Sequence, residues 1–333
     1  MPPIWVHAAS AGDVASIAPL VEALGRPATL TVVTATGLAM AARRLPLVPA
    51  RRAPLLRPVR FAAHARPALL LLEGLELWPG LIAAARRHGA RIAIVNGRIS
   101  LSSLARYRAL WRFFGEAVSA IDLVCARSAA DAERFARLGV PAARIAVTGF
   151  TKYDGLPTVP ATAAREAVVL GSTHRGEERR LAPALRALGR PVVVAPRYPR
   201  RPPPVRPRRG AGARGAGVCV IDTIGELRAL YASAAIAFVG GSLVARGGHD
   251  VLEAAACGAP VVTGTHVDSV NDEMAALEAA GAAMRITSAD GFADAARALL
   301  ADAHAGARAR AVAETFRGAT ERCVQLLRPL LDA

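Results

Sequence analysis

The sequence predicts an α/β chain of two doubly wound, Rossmann-like domains facing each other across a cleft. Short aliphatic runs alternate with helical segments, as parallel sheets covered by helices require. The alternation occurs twice, and the stretch from Gly155 to Ala164 between the halves, with Pro157 and Pro160, has the composition of a linker. A length of 333 residues, 53% of them hydrophobic, exceeds one ordinary core and suits two. The boundaries are therefore set at 1–155 and 156–333.

The first half opens on Ile4-Trp5-Val6-His7-Ala8, an apolar run that reaches the small-residue turn Ser10-Ala11-Gly12. A helix should follow, with Val14, Ile17, Ala18, Val21 and Leu24 on one face. Strands are then expected at 29–33, at 68–72, which is continuously aliphatic, and at 91–95, closed by Asn96-Gly97. Runs at 123–125 and 145–147 complete this half. In the second half the strands fall at 167–170, 191–195, 218–221, 236–239 and 260–263. Residues 197–214, rich in proline, glycine and arginine, match no regular element and read as a mobile basic loop.

The net charge is +16, and Lys152 is the only lysine. An excess of arginine alongside Ala, Gly and Pro points to GC-rich codon usage, yet its physical effect is the same. A strongly basic surface draws polyanions such as phosphorylated glycolipids and anionic membrane surfaces. Nucleic acid is not expected as a partner, since neither a zinc-finger spacing nor an interleaved basic and aromatic pattern occurs. Cys125, Cys219, Cys257 and Cys323 lie far apart and read as reduced, mostly buried thiols of a cytoplasmic protein. No signal peptide and no run of about 20 uncharged apolar residues is present, so membrane contact is expected to be peripheral.

Ligands of doubly wound sheets bind outside the carboxyl ends of the strands, and the chemistry-bearing residues fall there. In Gly240-Gly-Ser242-Leu-Val-Ala-Arg-Gly-Gly-His249-Asp250-Val-Leu-Glu253, a strand end meets paired glycines and then a helical pattern. Free N–H groups at such a turn suit a phosphate. His249 and Glu253, four apart, are expected on one helical face, with Glu253 on ribose hydroxyls. The glycines serve equally well to make turns. Ser10-Ala-Gly12-Asp13 offers Asp13 as a general base, but the same spacing makes a capping box. Gly171-Ser172-Thr173-His174-Arg-Gly-Glu177, Pro196-Arg197 and Asp222-Thr-Ile-Gly225-Glu226 follow strands and suit phosphate or carboxylate recognition.

These segments, together with Glu76-Leu-Trp-Pro79, Asn96-Gly-Arg98-Ile-Ser100, Tyr107 and Thr148-Gly149 with Lys152-Tyr-Asp154, resemble in order the 3-deoxy-manno-octulosonic acid (Kdo) transferase family. The resemblance implies a GT-B fold and an inverting transfer from CMP-Kdo, the nucleotide-sugar donor, to a lipid A precursor. It implies no metal ion and no cofactor, and a place on the inner face of the cell inner membrane. By similarity Asp13 takes the catalytic-base role, and Ser10, Gly12, Glu76 and Arg98 form the acceptor side. Lys152, Ser172, Thr173, Arg197, Gly225, Glu226, Gly241, Ser242, His249, Asp250 and Glu253 would surround the donor. The sequence departs from the family at Asp13 (usually Glu), Gly74 (an acid), Ser102 (Arg), Tyr198 and Arg200 (His and Glu) and Asp250 (Asn). The family's N-terminal hydrophobic anchor has no counterpart in it. Those departures leave room for another GT-B donor or acceptor, or for a binding protein without transfer.

Overall fold

The strand Ile4–Ala8 (β1) is buried along its whole length, with Ile4, Val6 and Ala8 facing one hydrophobic layer and Trp5 the other. Burial on both faces is what a parallel strand covered by helices on either side requires. A computed structural model of the chain describes residues 3–55, 58–156, 165–198, 217–221, 223 and 225–332. Most of the linker, the basic loop beyond Tyr198 and Asp222 lie outside the described residues.

The first unit comprises Met1–Gly155 and Phe316–Ala333. Its further strands are Ala28–Val32 (β2), Ala50–Arg52 (β3), Leu69–Glu73 (β4), Arg91–Gly97 (β5), Leu123–Ala126 (β6) and Ile145–Val147 (β7). All pair in parallel, in the order β3-β2-β1-β4-β5-β6-β7. The order reverses between β1 and β4, so their carboxyl ends flank the crevice of a doubly wound sheet. Strand β5 runs two residues past its expected end. Asn96, at φ +53°, shifts the register against β6 without stopping the ladder.

The second unit, Leu156–Thr315, repeats the plan. Its strands are Ala167–Thr173 (β8), Val192–Pro196 (β9), Val218–Val220 (β10), Ala234–Val239 (β11), Val261–Thr263 (β12) and Ala283–Arg285 (β13). They too are parallel, in the order β10-β9-β8-β11-β12-β13, with the reversal between β8 and β11. Two of the four edge strands, β3 and β13, three residues each, have no aliphatic run and escaped the sequence pattern. Their side chains are largely arginine and alanine, and pairing comes from the neighbouring strand.

One domain limit needs correction. The sequence reading carried the second domain to residue 333, but the helix Ala319–Asp332 belongs to the first unit. Cys323, Val324, Leu327 and Leu331 pack into the layer formed by β1 and the helix Ala11–Leu24. Asp154 fixes the return: its carboxylate accepts the N–H groups of Gly318 and Thr320, both at 2.6 Å. Cys125, Cys257 and Cys323 are buried free thiols, while Cys219 is exposed.

Candidate functional site

At the carboxyl end of β1, Ser10 caps the helix Ala11–Leu24. Asp13 Oδ2 accepts both the Ser10 N–H and the Ser10 hydroxyl at 2.8 Å, and the Asp13 N–H reaches Ser10 Oγ at 3.4 Å. The capping box is therefore present. It engages one carboxylate oxygen only, and Oδ1 has no hydrogen-bond partner among the described residues. A side chain held by one oxygen with the other free is fixed without being used up. Gly12 is exposed on the same turn.

Two further carboxyls gather at the end of β4. Glu76 is partly buried and accepts the Trp78 indole N–H at 2.6 Å. Burial pushes its pKa up, the indole bond opposes this, and the charge of Asp13 adds to the rise. Glu73 is buried beneath, with the Asn96 amide nitrogen 3.1 and 2.9 Å from its two oxygens. Burial raises its pKa well above the carboxylate range, and Asp13 again contributes. Asn96 also holds Thr151 through its amide oxygen (2.9 Å) and nitrogen (2.8 Å), and the Thr151 hydroxyl donates to the Ser16 carbonyl at 2.5 Å. The left-handed Asn96 thus ties β4, β5, the first helix and the turn Thr151–Gly155 into one network. Arg98 is exposed just past β5. Lys152, expected beside the donor, lies in the Thr151–Gly155 turn and so in the first unit.

Glu73 escaped the sequence reading. It stands directly before Gly74, the position where the family carries an acid, and one residue past the strand expected at 68–72, which the structure extends to Glu73.

The second unit's reversal point is built differently. The N–H groups of Gly241, Ser242 and Leu243, at the turn after β11, point at the Glu177 carboxylate at 2.8, 3.1 and 2.9 Å. The His174 N–H adds a fourth bond at 2.8 Å, and Glu177 is fully buried. This corrects one expectation. The glycine-rich turn is an anion site, but its anion is the protein's own carboxylate, and a donor phosphate has no access to those amides. Ser242 is corrected with it. It is buried, its hydroxyl donates to the Val239 carbonyl at 2.6 Å and accepts the Gly264 N–H at 2.9 Å, so nothing is left for a ligand. A buried acid in the first turn of a helix, following a glycine and upstream of an amide-rich loop, was the available signal for Glu177.

Outside this turn lie a set of rings and the Arg197 guanidinium. His174 Nε2 and His249 Nε2 lie 2.9 Å apart, the rings parallel within 1°. Tyr198 meets His174 edge-on at 5.7 Å between centroids, and the exposed Arg197 guanidinium lies 5.8 Å from the Tyr198 ring centre. His249 sits in the loop before the helix Leu252–Ala256, so it shares no helical face with Glu253, contrary to the spacing argument. Asp250 Oδ1 caps that helix through the N–H groups of Leu252 (3.0 Å) and Glu253 (3.3 Å). Glu253 pairs with Arg228 at 3.7 Å. Ser172 takes a left-handed backbone at φ +54° where β8 slips against β9, and Thr173 is buried with a hydroxyl that finds no partner among the described residues. Gly225 and Glu226 are exposed before the helix Leu227–Ala232, with Glu226 accepting the Thr223 hydroxyl.

A family model described as 3-deoxy-D-manno-octulosonic-acid transferase matches residues 1–155. The chain is 34% identical to the 3-deoxy-D-manno-octulosonic acid transferase of Bordetella pertussis, over 99% of this chain and 86% of that one. With the enzyme of that name from Haemophilus influenzae the identity is 30%, over 99% and 87% of the two chains. Among solved structures, the UDP-GlcNAc 2-epimerase of Neisseria meningitidis bound to UDP-GlcNAc matches with a TM-score of 0.69 at 12% identity, covering 99% of this chain and 100% of that one. The glycotransferase of kitacinnamycin matches with a TM-score of 0.64 at 14% identity, covering 98% of both. At those identities the structural likeness speaks for the fold alone, two parallel-sheet α/β domains of the GT-B class.

Proposed function

The chain belongs to the 3-deoxy-D-manno-octulosonic acid transferase family, glycosyltransferases of lipopolysaccharide biosynthesis, and on that premise we propose that it transfers Kdo from CMP-Kdo to a lipid A precursor with Asp13 as the base. The observation that carries this is the Asp13 carboxylate at the β1–β4 reversal, one oxygen locked in the cap and the other free. An acceptor hydroxyl hydrogen-bonded to Oδ1 gives up its proton there as its oxygen bonds the anomeric carbon of the sugar. The bond from that carbon to the phosphate oxygen breaks, and the electron pair leaves with CMP. Entry opposite the leaving phosphate inverts the centre.

The first unit takes the acceptor in this reading, with Ser10, Gly12, Glu76 and Arg98 around it. The second takes the donor. Arg197 and the His174–His249 pair meet the phosphate charge that grows as CMP departs. Ser172, Thr173, Gly225, Glu226, Asp250 and Glu253 shape that side, and Lys152 adds an ammonium. The guanidinium supplies the positive charge and the imidazoles supply hydrogen bonds, so the proposal includes no metal ion and expects the rate to survive EDTA. Among the described residues no helix is long and apolar enough to cross a membrane. We read the enzyme as working peripherally, on the anionic inner face of the cell inner membrane. Incubating the full chain with CMP and radiolabelled Kdo as CMP-Kdo, plus a lipid A precursor in detergent, tests the proposal. Label in the lipid fraction supports it, and label left entirely on the nucleotide sinks it.

A further inference from the structure

At the corner between the helices Leu101–Ala109 and Trp111–Ser119, three large apolar side chains stand in the open. Leu110, Trp111 and Phe113 are 40%, 43% and 57% exposed. The fold makes a seat for the central one. The Trp111 ring lies over two glycines, and a Cβ on Gly115 or Gly139 would come within 2.8 or 2.9 Å of it. Gly139 ends the neighbouring helix Ala129–Leu138 at φ +110°, so its bare backbone serves the helix end and the ring together. A tryptophan held flat on such a bed is a rigid surface feature, presented at little entropic cost on contact.

Every charged side chain from 106 to 113 is an arginine, and the nearest acid along the helix is Glu116, exposed and four residues past Arg112. Arg106, Arg108 and Arg112 are exposed on the same corner, and none makes an ion pair among the described residues. The Arg112 guanidinium lies 4.7 Å from the centre of the Phe113 ring, which keeps cation and ring side by side. Aromatic bodies flanked by arginine heads suit the headgroup level of a membrane, where rings enter the acyl boundary and cations meet lipid phosphates.

We propose that this corner is the membrane-docking surface of the enzyme and that its partner is an anionic phospholipid bilayer. The inference rests on the reading that transfer occurs at a membrane, and it names the residues that make the contact. Each arginine brought to an anionic surface should strengthen attachment about five-fold, less so at high salt.

The full chain would be sedimented with vesicles of phosphatidylcholine mixed with phosphatidylglycerol, and with vesicles of phosphatidylcholine alone. Wild type should bind the mixed vesicles preferentially, with a blue shift in tryptophan emission that Trp111→Phe removes. Trp5 is buried and Trp78 is held by Glu76, so neither should report the contact. Trp111→Ser with Phe113→Ser should lower binding by about ten-fold or more. Arg106→Gln, Arg108→Gln and Arg112→Gln together should abolish the preference for the anionic lipid. Arg43→Gln with Arg44→Gln, on an exposed helix end of the same unit, should change binding by less than about two-fold. Equal binding by wild type and the aromatic variant overturns the proposal. So does a wild type that ignores vesicles, or one that self-associates through this corner so that the aromatic variant is monomeric. Transfer to an acceptor dispersed in detergent separates this idea from the functional one. The corner variants should keep that rate, whereas a chain that binds vesicles but transfers nothing would remove the function and leave the surface.

Discussion

The two reversal points share a topology and handle charge in opposite ways. In the first unit, Asp13, Glu73 and Glu76 crowd one crevice, where burial first and the Asp13 charge second make Glu73 and Glu76 harder to ionise. At the second unit's reversal the Glu177 carboxylate is sealed inside, and four backbone N–H groups close over it. The outer surface there carries the His174–His249 pair, Tyr198 and exposed arginines, Arg197 among them. Parallel sheets provide the crevice in each case; the acid's placement decides whether it is a reagent or a part of the frame. An acid at the helix N-cap box keeps an oxygen for chemistry, whereas one in the first turn of the next unit's helix spends both oxygens on a loop.

That contrast predicts different penalties for the same change of carboxylate to amide. Asp13→Asn keeps an oxygen for the Ser10 N–H, so the cap should lose less than about 1 kcal/mol in thermal melting. Without a group to take the acceptor proton, kcat should fall about 10²- to 10⁴-fold in the transfer assay. A variant with wild-type turnover would end the base assignment. Glu177→Gln should do the reverse. Its amide NH₂ would face backbone N–H groups that need an acceptor, at a cost of about 4 kcal/mol for the two left unmatched. CMP should then stabilise the variant less than wild type, because the loop that carries His249 loses its anchor. Asp13→Asn should bind CMP normally. If the Glu177 variant melts and binds like wild type, the frame role is wrong.

Most of the fold was legible because parallel strands buried on both faces are aliphatic runs and little else has that pattern. Strand β7 falls at the residues expected, and β1 matches from Ile4 to Ala8. The edge strands β3 and β13 were not legible, since three residues of Ala, Arg and Met carry no periodicity. The return of the last helix to the first unit was hidden for another reason. Its apolar stripe specifies that it packs, and polar contacts specify where: the Asp154 bonds to Gly318 and Thr320, the Arg322 bond to the Thr148 carbonyl and the Arg26–Asp332 pair. At the candidate sites, residue types and positions at strand ends were readable from spacing. Which partner each group already had was not. Ser242 and the N–H of Gly241 looked available because sequence shows donors without showing that Val239, Gly264 and Glu177 occupy them.

His7 sharpens the electrostatic side of the comparison. It is buried on β1 beside Thr31, and burial lowers its pKa from 6.5 to about 4. Between those values the unfolded chain binds more protons than the folded one. Stability should therefore fall as pH drops from 6.5 towards 4, by about 3 kcal/mol in all, with little further change below. Raised carboxyl pKa values at Glu73 and Glu76 act with the other sign, losing stability as pH rises through their folded pKa. Subtracting a His7→Gln denaturation series from the wild-type series isolates the histidine. A flat difference across that window would contradict its buried, neutral state.

The smallest effect expected falls on Ser242, where two readings part. As a scaffold residue its hydroxyl satisfies the Gly264 N–H and the Val239 carbonyl, both in the interior of the second unit. Gly264 packs so closely on the Ser242 backbone that a Cβ there would collide with it, so the pair has no room to find a substitute partner. Ser242→Ala should then cost about 2 kcal/mol of stability through the unsatisfied N–H. The KM for CMP-Kdo should stay at its wild-type value, measured below the lowered melting point. A donor contact would show the opposite split, a raised KM in a protein of unchanged stability. That result would return Ser242 to the ligand and make the sealed Glu177 loop part of the donor pocket after all.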